Sequence, residues 1–303
     1  MSPQLALVTD ALVRASPLII AGLAVAIAFR GGVFNIGAEG QLLLGAVAAT
    51  AVTLKLNAVL GPATVIVAAC AGAFAGAFWA AIAAELRRRF HVLEIISTIM
   101  LNFIAVHLVS YLVRGPLQEP TRIYPQTETF PAFARLPILV PGTRLHLGFA
   151  VAIALAVAFA WLLSRTSTGF RIRAVGASPR AAESAGQINV ARTSFTVFLL
   201  SGAIAGIAGS IEVNGVTYAL YENLSPGYGY TAIAVALIAG LNPLAIIAAG
   251  IFFGVLETGA IALQREFAVP SSLAAVVEAT MILAVLAIAA IRGKSLVGRT
   301  TAA

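Results

Sequence analysis

The stretch FRGGVFNIGAEGQ, Phe29–Gln41, interrupts two long apolar runs with glycines and polar side chains. Its paired glycines permit a break in a helix, whereas Asn35, Glu39 and Gln41 bring polar groups between two apolar segments. Irregular backbone at membrane depth is tolerated only where it is buried in protein or lines a water-filled cavity. Ionisable groups there indicate function. The stretch therefore favours a broken or re-entrant helix that lines a solute path; an ordinary short loop between two spans is the alternative.

The composition around this stretch is that of a membrane protein. Of the 303 residues 60% are hydrophobic and only 10% are charged, whereas soluble domains carry about 25% charged residues. Several runs reach the roughly 20 apolar residues that one bilayer crossing needs. A porin-type barrel would show short alternating strands instead. We predict a multi-pass protein of the plasma (inner) membrane.

Apolar segments divide the whole chain, 1–303, into one transmembrane domain. The predicted fold is all-α, a helical bundle of about 8–9 spans. The seventh segment is short for a full span, because Pro243 follows it closely. The predicted segments are 11–29, 41–60, 62–84, 93–113, 147–164, 193–216, 229–240, 243–263 and 272–291.

Arginine placement predicts the orientation of the spans, because short basic loops stay on the cytoplasmic side. The segments 85–91 and 165–192 and the C-terminal tail are basic, so we expect them to be cytoplasmic. The proline-rich segment 114–146 then forms an extracytoplasmic loop. Three spans precede the first basic loop, which would place the N-terminus outside. The count also closes if a further N-terminal helix precedes this chain, or if 29–41 re-enters the membrane.

A short helix is predicted within the cytoplasmic segment 165–192. Ser178 is a suitable N-cap, and Pro179 suits the first helical position. The helix over 179–185 would end at Gly186, a C-cap position. Such a helix fits docking into another protein, or equally a membrane-surface helix held by arginine and lipid phosphate.

Other polar residues interrupt the apolar runs. The segment 221–234 is interrupted in a comparable way. It is either a matched break in the second half of a transporter, which would point to a binding site, or an extracytoplasmic loop. Asn102 in the fourth segment either faces a channel or bonds a neighbouring helix. Glu212, Glu257 and Glu278 could face the path, although pairing or a lipid-edge position is the simpler interpretation. Glycine pairs at 72/76, 202/206 and 250/254 predict close helix packing.

Several catalytic chemistries have no support in the sequence. It contains no phosphate-binding G-x-x-x-x-G-K-[ST] motif, so ATP would have to be used by a partner. Its three histidines are scattered and its one cysteine is isolated, which argues against a metal site. No nucleophile motif of a hydrolase is present. We expect no enzyme activity and no cofactor in this chain.

Four stretches together resemble the permease subunits of ABC importers for nucleosides and simple sugars, within the ribose and branched-chain amino acid permease family. They are FRGGVFNIGAEGQLLLGA, EIISTIMLNFIA, RAVGASPRAAESAGQINVAR and GYGYTAIAVALIAGLNPLAI. The resemblance extends from about Arg14 to Gly293. Relatives of this kind often begin with one more transmembrane helix, which agrees with the uneven span count before residue 85.

The resemblance implies a division of labour. A solute-binding protein delivers solute, two permease subunits, commonly different ones, form the path, and an ABC ATPase drives alternating access. The segment 173–192 matches the loop that seats in the ATPase, which implies coupling roles for Arg173, Gly176, Pro179, Arg180, Ala182 and Gly186. From polarity at depth, the solute-path candidates are Asn35, Glu39, Gln41 and Asn102.

One other class of function remains open from the sequence. An ion- or proton-coupled secondary transporter of a small polar solute would use Glu39 or Glu257 as its coupling carboxylate. Such a transporter has no need for the cytoplasmic docking helix.

Overall fold

A computed structural model describes residues 3–184 and 188–267, with isolated positions between 276 and 287. Those ranges are helical, joined by short turns and by the irregular segments 115–147 and 218–227. The helices are α1 Pro3–Arg30, α2 Ala38–Leu60, α3 Thr64–Phe90, α4 Glu94–Arg114, α5 Gly148–Arg165, α6 Ser167–Ala177, α7 Pro179–Ser184, α8 Val190–Ile211, α9 Tyr228–Ile238 and α10 Pro243–Phe267. A π-helical turn, Glu212–Thr217, extends α8.

Six of the described helical stretches are long and apolar enough to cross a membrane. One of them, Ala38–Phe90, covers two predicted segments, since Gly61 at a φ of 52° turns the chain between α2 and α3. The helix α9 is too short for a span of its own. The predicted number of 8–9 spans is therefore not confirmed. The ninth segment, 272–291, lies outside the described residues except for isolated positions, and Glu278 is not one of these.

The first helix forms the centre of the bundle. It packs against α10, α8, α9 and α5, and 83% of its most apolar window is buried, against 22% for α10. A helix that is hydrophobic on all sides belongs in an interior, and α1 has no polar side over Leu18–Ala28. The helices α3 and α4 lie further out and pack against α2, and the outer spans expose apolar side chains.

Glycines bring α2, α3 and α8 into close contact. A Cβ on Gly206 would lie 2.0 Å from the carbonyl oxygen of Gly72, and one on Gly76 would lie 2.1 Å from that of Gly202. The backbones can approach this closely only because no side chain intervenes. The packing role predicted for these glycines is confirmed, and the pair on α10 packs likewise against α1.

The basic segments 85–91 and 165–192 lie at one end of the bundle, whereas the basic C-terminal tail lies outside the described residues. Arg87 and Arg88 line a cavity together with Glu183, and Arg30 and Arg173 line another. At the opposite end the segment 114–146 folds against 214–222, where its backbone N–H groups donate to the carbonyl oxygens of 214, 218 and 220. The start of α1 and the end of α10 lie at this second end. The structure thus separates the predicted cytoplasmic loops from the predicted outer loop.

Candidate functional site

The break between α1 and α2 lies inside the bundle. The helix α1 ends at Arg30 and α2 begins at Ala38. Between them, Asn35 donates to the hydroxyl of Ser201 near the middle of α8 (2.8 Å), and that hydroxyl donates to the carbonyl of Ala24 on α1 (2.6 Å). The irregular segment therefore returns to the depth of Ala24, several residues before the end of α1. A connection outside the bundle could not make these contacts.

The side-chain amides of Asn35 and Gln41 bond each other across the break. Asn35 donates to Gln41 (2.9 Å), and Gln41 donates back to the Asn35 oxygen (3.0 Å). The same oxygen accepts the N–H of Gly37 (2.9 Å), just before α2 begins. These bonds satisfy polar groups that would otherwise be buried without partners, at a cost of about 1–3 kcal/mol each.

Asn102 joins the break to α4 and α9. Its oxygen accepts the N–H of Gly40 (2.9 Å), and its nitrogen donates to the carbonyl of Ile36 (2.9 Å) and to the hydroxyl of Tyr230 (3.2 Å). One side chain thereby bonds the backbone on both sides of the start of α2. Of the two alternatives that the sequence left open for Asn102, this geometry corresponds to a bond with a neighbouring helix and not to a channel-facing position.

Glu39 joins the first break to the second. Its Oε2 accepts the N–H of Gly229 at 2.6 Å, and Ser225 bonds the same carboxylate. Ser225 also accepts the N–H groups of Gly227 and Tyr228, which begin α9. A Cβ on Gly229 would lie 2.2 Å from the Glu39 nitrogen, so only glycine allows this approach.

Two helix N-termini therefore meet at one carboxylate. Glu39 lies in the first turn of α2, and it bonds the first turn of α9. Helix N-termini carry partial positive charge and unpaired N–H groups, so a carboxylate is favourable there. The two interruptions that the sequence indicated, near 29–41 and 221–234, form one junction.

The four predicted solute-path residues are brought together at this junction. Asn35, Glu39, Gln41 and Asn102 are 0%, 4%, 1% and 0% exposed. All four are hydrogen-bonded to neighbouring segments, so in this conformation they hold the break in shape. Contact of any of them with solute stays a prediction.

A polar cavity of about 460 Å³ lies at the outer-loop end, directly beside this junction. Tyr228, the neighbour of Gly229, lines it. On another side of the cavity, Arg14 of α1 pairs with Glu257 of α10 at 2.8 Å. Glu212 lines it while only 3% exposed. The full lining is Asp10, Val13, Arg14, Arg144, Glu212, Val216, Thr217, Tyr221, Asn223, Leu224, Pro226, Tyr228, Glu257 and Ile261.

This cavity was not predicted from the sequence. Glu212 and Glu257 were candidates for the path, and the pairing interpretation is confirmed for Glu257. Nothing local connects them to Arg14 or to the tyrosine at 228, because these residues come from distant parts of the chain. The available signal was the presence of charged residues of both signs near or within apolar runs.

Two titratable groups of the outer loop region have shifted pKa values. The Arg114 guanidinium and the Ser110 hydroxyl hold the pKa of Glu222 at about 2. Burial, with the charge of Arg144, lowers the pKa of His146 to about 4. Both groups lie outside the spans, and both therefore keep a single charge state near neutral pH.

The predicted coupling segment forms the helices α6 and α7. The Ser178 hydroxyl accepts the N–H of Ala181 at 3.3 Å, which confirms the predicted N-cap. Pro179 and Arg180 are exposed, whereas Ala182 is buried. Gly186 lies outside the described residues.

The two remaining coupling residues face the basic end of α1. A Cβ on Gly176 would lie 1.9 Å from the carbonyl oxygen of Arg30, so α6 packs closely on the end of α1. Arg173 and Arg30 line one cavity. The coupling segment is thus attached to the helix that leads into the break.

No group of three or more metal-ligating side chains that could hold an ion occurs among the residues that the structure describes. The polar side chains of the junction and of the outer cavity are instead a mixture of amides, hydroxyls, carboxylates and guanidinium groups.

Comparison with known proteins places the chain in a transport family. Residues 7–286 match the family described as "Branched-chain amino acid transport system / permease component". A glucose ABC transporter permease of Haloferax volcanii is 43% identical over 91% of this chain and 74% of its own length. A guanosine ABC transporter permease of Bacillus subtilis is 39% identical over 91% of this chain and 80% of its own.

A nucleoside ABC transporter permease of Lactococcus lactis is 32% identical over 88% of this chain and 75% of its own length. No solved structure matches the chain. A permease component is not itself an enzyme, since ATP is hydrolysed by the partner ATPase. The chain is a multi-pass membrane protein that belongs to the family of branched-chain amino acid transport system permease components, and it is similar to ABC transporter permeases for nucleosides and glucose.

Proposed function

We propose that this chain forms the solute path of an ATP-driven importer for nucleosides or related simple sugars. The observation that carries the proposal is the junction of two broken segments at Glu39, next to the polar cavity. Discontinuous helices of this kind form substrate sites in membrane transporters. The similarity to nucleoside and glucose permeases supports the solute class.

The path is closed in this conformation. The cavity opens at the outer-loop end, whereas the junction beside it is buried and fully bonded. Opening toward the cytoplasm requires α9 to move relative to α2, because the Glu39–Gly229 bond joins them. Transport is then an alternation between this seal and its open form, without covalent chemistry or a cofactor in this chain.

The energy for that alternation comes from partner subunits. The family implies an ABC ATPase and a solute-binding protein. In this proposal the ATPase contacts α7 through Pro179 and Arg180, while Gly176 and Arg173 transmit its motion to the end of α1. A second, different permease subunit completes the path in the plasma membrane, with lipid around the exposed apolar faces.

Uptake in proteoliposomes tests the proposal. The chain is reconstituted with its partner permease, ATPase and solute-binding protein, and radiolabelled guanosine or glucose is supplied outside. We expect uptake only with ATP inside and with an intact ATPase. Uptake that persists without ATP, or that follows an imposed proton or sodium gradient instead, contradicts the proposal and supports a secondary transporter.

The family membership and the ion pair of Glu257 both weigh against that alternative. An ion-coupling carboxylate must be able to release its partner during each cycle, whereas Glu257 is bonded to Arg14 at 2.8 Å. Glu39 is likewise bonded to a backbone N–H at a helix start.

A further inference from the structure

One carboxylate in the outer cavity has an unused hydrogen-bond acceptor. Glu212 begins the π-helical turn after α8 and is 3% exposed. Its Oε2 has no hydrogen-bond partner among the residues that the structure describes. A buried polar atom without a partner is costly, and a carboxyl oxygen accepts hydrogen bonds. The position therefore calls for a donor from a bound molecule.

The surroundings of Glu212 define what that molecule can be. The cavity volume of about 460 Å³ lies within the range of about 300–1,000 Å³ that is typical of small-molecule sites. The rings of Tyr221 and Tyr228 line it, and flat aromatic surfaces suit the face of a sugar or base. Three acidic and two basic side chains line the cavity, so their formal charges nearly cancel.

The arginine of α1 that lines the cavity already forms an ion pair. Arg14 is bonded to Glu257, which lowers its value as a site for an anionic solute. A neutral ring with adjacent hydroxyl groups supplies the donors that Glu212 lacks and adds no charge to the cavity. An ammonium group would also donate to Glu212, so an aliphatic amino acid is the competing ligand.

We propose that the cavity is a binding site for a neutral, hydroxylated ring solute, in which Glu212 accepts hydrogen bonds from ring hydroxyl groups. This inference rests on the proposed function, because it names the site within the path. Tyr221 and Tyr228 lie against the ring, and the Arg14–Glu257 pair closes the side of the cavity between α1 and α10. The solute then remains bound beside the Glu39 junction until α9 moves.

Protection of an engineered cysteine measures binding at this site directly. Val216 lines the cavity and is half-buried, and Val216→Cys changes its volume little. The variant is made in a Cys70→Ala background, because Cys70 is exposed. The full-length purified permease is labelled with a membrane-impermeant maleimide in the presence of guanosine, glucose or leucine, without ATPase or ATP.

We expect guanosine or glucose to slow labelling and leucine to have no effect. Glu212→Gln should raise the half-protecting concentration about tenfold, because the amide replaces one of the two acceptor oxygens by an NH2 donor. Glu212→Asp should restore much of the protection. Glu128→Gln is the matched control, since it removes one exposed carboxylate at the same end of the protein and should leave protection unchanged.

Each result decides the inference. If the protein with Glu212→Gln and the protein with Glu212 are protected at the same solute concentration, Glu212 does not have the proposed role. Protection by leucine but by neither ring solute overturns the ligand class, and absence of protection by all three overturns the site. The protection assay contains no ATP, so it tests the binding site independently of ATP-driven import. ATP-dependent uptake without any protection contradicts the site and supports the importer. Protection without ATP-dependent uptake supports the site and contradicts the importer.

Discussion

Replacing Glu39 separates its bond to α9 from its charge. Glu39→Gln keeps a side-chain oxygen that can accept the Gly229 N–H, but removes the negative charge between two helix N-termini. Glu39→Ala removes both and leaves that N–H, which is 2.6 Å from the carboxylate in the native protein, without its acceptor. The pair of variants thus measures what the bond itself contributes to the junction.

The expected magnitudes follow from these contacts. An unpartnered buried N–H costs about 1–3 kcal/mol, so the alanine variant should weaken the junction by that amount. In the glutamine variant, the loss of a charge at each helix start is worth about 0.3–1 kcal/mol. Relief from burying a charge offsets part of that loss. We therefore expect the glutamine variant to remain within about 1 kcal/mol of the native protein.

Amide hydrogen exchange over residues 225–232 measures the junction locally. A loss of about 1–3 kcal/mol corresponds to exchange that is roughly 5- to 150-fold faster at the start of α9. We expect this acceleration in the alanine variant and only a small change in the glutamine variant. Exchange over α5 is the internal control and should be unchanged in both.

Equal exchange at the start of α9 in both variants and the native protein would refute this reasoning. It would show that the Glu39–Gly229 bond does not hold α9 in place. If the glutamine variant folds with native exchange but loses uptake, the charge itself acts in the path. Uptake that remains native in the glutamine variant assigns Glu39 to holding the break.

Three further predictions follow from other contacts. Gly206→Ala should lower the free energy of unfolding in detergent by at least about 2 kcal/mol, because the new Cβ would lie 2.0 Å from the Gly72 carbonyl oxygen. Gly259→Ala is the control, because the space around Gly259 is open, and it should be neutral or stabilising. Lowering the pH from about 6.5 toward 4 should destabilise the outer loop by up to roughly 3 kcal/mol, because the pKa of His146 is about 4 in the folded protein and 6.5 when unfolded. In unfolding experiments, His146→Gln should remove that part of the pH dependence. A pH profile that is the same in the variant and the native protein would contradict the prediction. Ser178→Ala should lose about 1 kcal/mol of helix capping at α7 and weaken stimulation of the ATPase by solute, while leaving cysteine protection at the outer cavity intact; full stimulation would show that α7 does not couple.

Much of the fold was predictable from local patterns. Long apolar runs and proline and glycine punctuation predicted the helices and the short helix after Ser178. Basic residues predicted which loops lie at the same end, whereas the assignment of that end to the cytoplasm stays a prediction. The number of spans stays open, because the short segment that forms α9 was already ambiguous in the sequence and the ninth segment lies largely outside the described residues.

The candidate site was predictable only in part. Asn35, Glu39 and Gln41 stood out because polar groups are costly in an apolar run. Their partners could not be assigned, since nothing local relates Asn35 to Ser201, and Gly229 stood out only as part of the second interruption, without a link to Glu39. The outer cavity combines α1, α10 and the end of α8, and no local pattern relates these segments.

The sequence by itself determined that this is an all-helical membrane protein with two interrupted segments, because apolar length and helix breakers act locally. It also carried the family resemblance. Only the tertiary structure decided that the two interruptions meet at one carboxylate, and that Glu212 lies in a cavity beside them with an acceptor oxygen left without a hydrogen bond among the described residues. The physical reason is that a buried polar group is satisfied, or left unsatisfied, by residues that folding brings from elsewhere in the chain.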